Sequence, residues 1–465
     1  MNMINVRRLT VMTFLGASML SGISAQVSPL QVDTLKETKI PDQWDLQSCI
    51  DYAKEQNITI RKNRITAVST QIDVKTAKAA LFPSLSFSTG HQVVNRPYQE
   101  TSSRVSGSEI ISSNSKTSYN GNYGLNASWT LYNGNKRLKT IQQEKLNNQM
   151  AELDVATSEN NIQESIAQVY IQILYAAESV KVNENTLQVS IAQRDRGQEL
   201  LNAGSIAKSD LAQLEAQVST DRYQLVTAQA TLEDYKLQLK QLLELDGENE
   251  MNIYLPALSD ENVLAPLPTQ KDVYISALSL RPEIEASKLN VEASELGIGI
   301  AKSSYLPTIS LSAGIGTNHT SGSDFTFGEQ VKNGWNNSIG LSVSVPIFNN
   351  RQTKSAVQKA KLQYETSMLS LLDEQKTLYK TIEGLWLDAN SAQQRYAAAN
   401  EKLKSTQISY ELISEQFNLG MKNTVELLTE KNNLLQAQQE QLQAKYMAIL
   451  NTQLLKFYQG DQLAL

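Results

Sequence analysis

The sequence predicts a mainly α-helical chain that also carries strands of a membrane β-barrel, laid out as a duplicated helix–strand–strand–helix repeat. Three observations predict this. Segments recur at a nearly fixed offset along almost the whole chain. Two stretches of about 70 residues hold no proline and one glycine each. Four short segments alternate strictly between aliphatic and small polar residues.

The offset defines two repeats. LFPSLSFSTG (Leu81 to Gly90) matches YLPTISLSAG (Tyr305 to Gly314) at 224 positions, and GLNASWTLYNG (Gly124 to Gly134) matches GLSVSVPIFNN (Gly340 to Asn350) at 216. LNAGSIAKSDL (Leu201 to Leu211) matches FNLGMKNTVEL (Phe417 to Leu427), again at 216. The fall from 224 to 216 puts eight extra residues in the first copy. They fall in the Ser/Gly/Asn-rich stretch Glu100 to Gly121, which reads as a loop.

Taken in order, residues 1–25 read as a secretory signal peptide. Arg7 and Arg8 precede the apolar run Leu9 to Leu20, and Ser24-Ala25 offers a cleavage site. The run is too short to span a bilayer, which takes about 20 residues. The first repeat (26–254) is expected to hold helices, strands near 82–98 and 117–133, a long helix over 136–203 and a helix over 208–246. A linker over 255–270, with Pro256, Pro266 and Pro268, precedes the second repeat (271–465). There the expectation is a helix over 282–303, strands near 306–318 and 337–348, a long helix over 352–419 and a helix over 424–459.

The helices show a seven-residue apolar period. Leu211, Val218, Leu225, Leu232 and Leu239 form one stripe; Ile382, Ala389, Tyr396, Leu403, Tyr410 and Phe417 lie on another. A sustained heptad implies shallow crossing angles with knobs in holes. In the strands, Tyr123, Leu125, Ala127, Trp129 and Leu131 oppose Asn122, Gly124, Asn126, Ser128 and Thr130. The helices are too polar to cover such an aliphatic face, so it reads as lipid-facing, with the polar face lining a channel. Trp129, Tyr132, Trp335 and Phe348 suit an interfacial girdle. Four strands cannot close a barrel, and an open edge in lipid leaves backbone groups unpaired, so several chains must contribute.

Composition excludes other classes. Net charge is −6 with both signs mixed, so no nucleic-acid surface is expected. One cysteine, Cys49, and two histidines, His91 and His319, give no metal cluster in the sequence. Cys49 reads as a small buried residue. No nucleophile–base set or phosphate loop appears, so neither an enzyme nor a cofactor is expected.

These features together resemble the TolC family of outer membrane efflux channels, over nearly all of Asp45 to Gly460. The resemblance rests on the duplicated FPS and LPT strand starts and the alternating strands ending in YNG and FNN. It rests also on the glycine turns at Gly204 and Gly420 and on FYQG near the end of the chain. It implies a homotrimer with a 12-stranded barrel in outer membrane lipid and a long periplasmic α-helical barrel, joined at an equatorial belt. It implies a passive duct for small toxic molecules, docked to a periplasmic adaptor protein and an inner-membrane pump of RND or ABC type. An outlet for secreted polypeptides has the same architecture, and a structural coiled-coil envelope protein is the alternative of another class.

The resemblance also implies a periplasmic gate. Asp210 matches an aspartate that pairs with a basic residue on a neighbouring chain, and Lys422 occupies the basic position. Lysine cannot make arginine's two-pronged contact. Ser209 matches a hydroxyl that meets a tyrosine, but Phe417 stands at the tyrosine position. Glu426 matches the first of two acidic residues ringing the pore entrance, and Thr429 stands at the second. Gly204 and Gly420 make the tip turns. Acids in a first helical turn also favour the helix dipole, and Glu411 and Glu415 read as solvated charges.

Overall fold

The computed structural model describes residues 40–98, 116–246, 251–256, 263–321 and 325–463, and the backbone of 102–106 and 109–113. The expected signal peptide and part of the expected linker lie outside the described residues.

Each half opens with two stacked helices of matching length. In the first, α1 (Leu46–Gln56) gives way to α2 (Ile58–Ala79) at Asn57. The backbone of Asn57 is non-helical, and its side chain caps α2 by accepting from the amides of Thr59 (2.9 Å) and Ile60 (3.4 Å).

The strands follow: β1 (Ser84–Asn95), β2 (Ser102–Ser106), β3 (Glu109–Ser113) and β4 (Thr117–Asn133). The long helix α3 (Lys136–Asn202) then turns into α4 (Lys208–Leu242). The second half repeats the order with α5 (Gln270–Leu280), α6 (Pro282–Ser303), β5 (Thr308–Thr320), α7 (Phe327–Asn333), β6 (Asn336–Ser344), α8 (Gln352–Asn418) and α9 (Thr424–Gln459). Here the break between stacked helices falls at Arg281, where Pro282 starts α6 without needing an N–H partner.

Helices α3 and α8 have 67 residues each, about 100 Å at 1.5 Å per residue. Both are entered through two successive left-handed residues, Gly134-Asn135 and Asn350-Arg351, with φ between 50° and 67°. This elbow swings the chain from strand to helix. Arginine is an unusual tenant of that region, which glycine and asparagine reach most easily.

Two strand expectations need correction, and one helix is added. The stretch expected as a loop carries the β2–β3 hairpin ahead of the expected strand at 117–133; Val105, Ile110 and Ile111 supply strand propensity that the surrounding Ser and Gly conceal. The last strand, expected to reach Phe348, stops at Ser344, because Pro346 has no N–H to give a ladder. Helix α7 was not expected. It is set by a capping box, in which Thr326 Oγ1 accepts from the Glu329 amide (3.4 Å) and Glu329 accepts from the Thr326 amide (2.8 Å).

Strands β1, β4, β5 and β6 form one antiparallel sheet in that order. Its register sets Leu125 against Ile315, Trp129 against Leu311 and Ala313 against Ile339, so the aliphatic residues share a face. That face is uncovered: Ile339 is 84% exposed and Leu341 65%. Among the described residues both β1 and β6 are open edges.

The main core lies where the helix stacks meet. Trp44, Cys49, Ile50, Ile166, Tyr170, Leu239, Tyr396 and Leu454 are buried together. Trp44 also pairs with the chain after α4 through Trp44 N–H to Asn252 O and Tyr254 N–H to Trp44 O, both 2.8 Å. Among the described residues no helix is long and apolar enough to cross a membrane.

Candidate functional site

The candidate site is the end of the helical bundle, where α3 turns into α4 and α8 into α9. Both turns are Schellman motifs. Gly204 (φ 75°) donates to Leu201 O (2.9 Å) and Ser205 to Leu200 O (2.8 Å). Gly420 (φ 74°) donates to Phe417 O and Met421 to Gln416 O, both 2.9 Å. Each reversal needs a left-handed residue, which glycine supplies without a Cβ penalty.

Each following helix is capped by one of the predicted acids. Asp210 accepts from the Ala207 amide at 3.0 Å, half of a capping box, since alanine offers no acceptor in return. Glu426 completes the box: it accepts from the Asn423 amide (3.3 Å), while Asn423 Oδ1 accepts from the Glu426 amide (2.9 Å). Lys422 Nζ lies 2.7 Å from Glu426 Oε1. That hydrogen bond, with the Asn423 amide next, holds the Glu426 carboxyl below the usual range.

Within the chain Lys422 therefore meets Glu426, and among the described residues no ion pair joins it to Asp210. Ser209 is exposed. Phe417 is buried with Leu214 and Leu427 and serves as the plug of a small apolar cluster. Thr429 donates to Val425 O (2.8 Å), which occupies its hydroxyl proton. Glu411 accepts from Gln407 (3.1 Å), and both Glu411 and Glu415 are exposed.

A buried ionic triad just behind the tip was missed in the sequence. Ser190 of α3, Asp221 of α4 and Lys431 of α9 are 2%, 1% and 3% exposed. Lys431 Nζ donates to both Ser190 Oγ and Asp221 Oδ2, and Ser190 Oγ also donates to Asp221 Oδ2. Gln217 Nε2 donates to Asp221 Oδ1 at 2.9 Å. Burial pulls Lys431 below its ordinary pKa, and the hydrogen bond and charge of Asp221 oppose that pull. The signal for this site was present. Asp221 falls three positions after Val218 and seven after Leu214, both buried; Lys431 falls midway between buried Leu427 and Leu435. An acid and a base at core positions of two helices call for each other.

Comparison with known proteins places these features. The model of the family described as outer membrane efflux protein matches residues 49–244 and 273–460, one segment in each half. The chain belongs to the outer membrane efflux protein family. Outer membrane efflux protein BepC of Brucella suis is 24% identical over 292 residues, 63% of this chain and 61% of its own. Outer membrane protein TolC of Escherichia coli is 24% identical over 294 residues, 61% of this chain and 58% of its own. The matched stretch thus spans about three-fifths of these two relatives. The solved structure of CusC, described with transmembrane channel formation, superposes with a TM-score of 0.75 at 18% identity, covering 90% of this chain and 92% of that one. The family's fold, a helical barrel joined to a β-barrel, is the fold of this chain.

Proposed function

We infer that this protein is the passive outer membrane exit duct of a tripartite efflux system, exporting small toxic molecules. It acts as a homotrimer spanning from the outer membrane into the periplasm. One observation carries the reading: a four-stranded sheet with two open edges and an exposed aliphatic face sits on helices about 100 Å long. Such a sheet cannot rest in lipid alone, since every edge group would lack a partner. Three copies supply twelve strands, within the range of membrane barrels. The same threefold arrangement closes the helices into a tube, whose far end a periplasmic adaptor and an inner-membrane pump would engage. In that assembly Asp210 of one chain and Lys422 of the next form the gate contact, and Glu426 contributes one acid per chain to the entrance. Native mass spectrometry of the detergent-purified protein, followed by planar-bilayer recording, tests this. A trimer with stepwise conductance is expected; a folded monomer or dimer without conductance refutes it.

A further inference from the structure

His91 and His319, the only histidines of the chain, stand far apart in sequence, and the sheet brings them together. His91 of β1 lies opposite Gly121 of β4, and Gly121 lies opposite His319 of β5. This row has the parity of Phe87, Leu125 and Ile315, so both imidazoles rise from the aliphatic face, near the sheet end remote from the long helices. Glycine makes their meeting possible. A Cβ at position 121 would stand 2.6 Å from His319 Nδ1 and 3.2 Å from His91 Nδ1. Both nitrogens therefore lie over one point and at most about 6 Å apart.

The surroundings hold the rings in place. Tyr119 stacks on His91 at 5.8 Å between centroids, and Phe327 of α7 meets His319 edge-on at 5.0 Å. His91 Nε2 lies 3.1 Å from Thr89 Oγ1, and His91 Nδ1 lies 2.7 Å from the Tyr119 hydroxyl. In the tautomer where Nε2–H donates to Thr89, the Nδ1 lone pair accepts the Tyr119 hydroxyl proton, and a metal ion at the glycine gap takes the place of that proton. Metal-ligating histidines are held in this way, with the second ring nitrogen donating to a nearby oxygen. His319 Nδ1 is buried and has no hydrogen-bond partner, although buried polar atoms nearly always have one.

We propose that His91 Nδ1 and His319 Nδ1 form a two-imidazole site for a first-row divalent ion of the Zn²⁺, Cu²⁺ or Ni²⁺ class. Imidazole nitrogen selects these ions, whereas Ca²⁺ and Mg²⁺ require oxygen cages. Metal–nitrogen bonds of about 2.0–2.1 Å require the two nitrogens within about 4.2 Å of each other, and rotation of either ring adjusts their separation. Two protein ligands leave the remaining positions to water. A bound ion ties β1 to β5 across β4, within one chain and independently of assembly.

The test uses the full chain in detergent, purified through a tag that contains no histidine. Zn²⁺ titration calorimetry and Cu²⁺ electron paramagnetic resonance are the readouts. The wild type is expected to bind one ion per chain, with two imidazole nitrogens in the Cu²⁺ hyperfine pattern. His91→Gln and His319→Gln should each weaken binding about tenfold or more and leave one nitrogen. Gly121→Ala changes no ligand but displaces His319, and should also weaken binding. Circular dichroism and oligomeric state confirm that each variant is folded. Wild-type affinity no tighter than that of the His91→Gln/His319→Gln double variant, or a single nitrogen in the wild-type spectrum, overturns the proposal.

Discussion

Replacing Lys431 with methionine leaves Asp221 as an uncompensated charge between three helices. Asp221 is 1% exposed, so water cannot solvate the orphaned carboxylate unless the helices part. Removing one partner of a buried ion pair costs about 3–5 kcal/mol. Asp221→Asn should cost a similar amount, because Lys431 is 3% exposed and would lose the charge that balances its own. The double variant Lys431→Met/Asp221→Leu removes both charges and should recover most of the loss, since a well-packed apolar replacement for a buried pair is often neutral or stabilising. Global melting of an oligomer in detergent is apt to be irreversible, so the suitable assay is amide hydrogen exchange read on peptides from 210–225 and 424–435. Each 1.4 kcal/mol is tenfold in an opening equilibrium. The single variants should therefore exchange roughly 100-fold to more than 1,000-fold faster there, and the double variant close to wild type. Single variants that exchange like wild type, or a double variant as labile as either single, would refute the claim that the triad is a buried charge network.

Three further expectations concern the tip and the core. Lys422→Ala and Asp210→Ala should each raise single-channel conductance, with little added by combining them, while Glu426→Gln should lower cation preference; three variants indistinguishable from wild type in a planar bilayer would reduce these residues to helix-end charges. The folded Glu426 carboxyl titrates below its ordinary value of 4.5, so its contribution to the α9 cap is complete above that value and lost as pH falls through the folded one. Relative to their intrinsic rates, the 424–428 amides should accordingly lose protection as pH falls below 4.5, and a Glu426→Gln variant should lack that step. Burial, with the charge of Asp45 adding to it, pushes the Cys49 thiol up to about 12; maleimide should fail to label the native protein near neutral pH and label it fully once denatured.

Local chemistry made much of this legible. Asn423 and Glu426 spell a capping box, Gly204 and Gly420 spell left-handed turns, and the alternation in β4 and β6 spells an aliphatic face. Each of these signals acts within a few residues, so a linear reading finds it. What escaped depends on pairing over long separations. The approach of His91 to His319 requires the registers of β1–β4 and β4–β5 together, and no local pattern fixes both. Lys431 sits between the seam residues Leu427 and Leu435, but which acid it meets follows from how α9 packs on α3 and α4. Phe417, which the resemblance sets at a tyrosine position of the gate, also belongs to the heptad that includes Tyr410, and it packs in an apolar seam with Leu214 and Leu427.

The buried triad also bears on how a duplicated chain moves. At the repeat offset of 216, Asp221 corresponds to Ala437 and Lys431 to Glu215. Ala437 is fully buried and Glu215 exposed, so the repeat-equivalent positions hold no such ion pair and the link forms once per chain. It joins the α3–α4 pair of the first half to α9 of the second, in one register, and it is buried where salt and water cannot loosen it. The contact between Lys422 and Glu426, by contrast, joins side chains that are 32% and 41% exposed and contributes little. Lys431 lies seven residues into α9 and Asp221 thirteen into α4, so the triad stands about 10–20 Å behind the turns. Motion of the tip that leaves this link intact is thereby confined to the last few turns of the helices. Any wider swing of the α8–α9 pair against α3 and α4 must first separate Lys431 from Asp221.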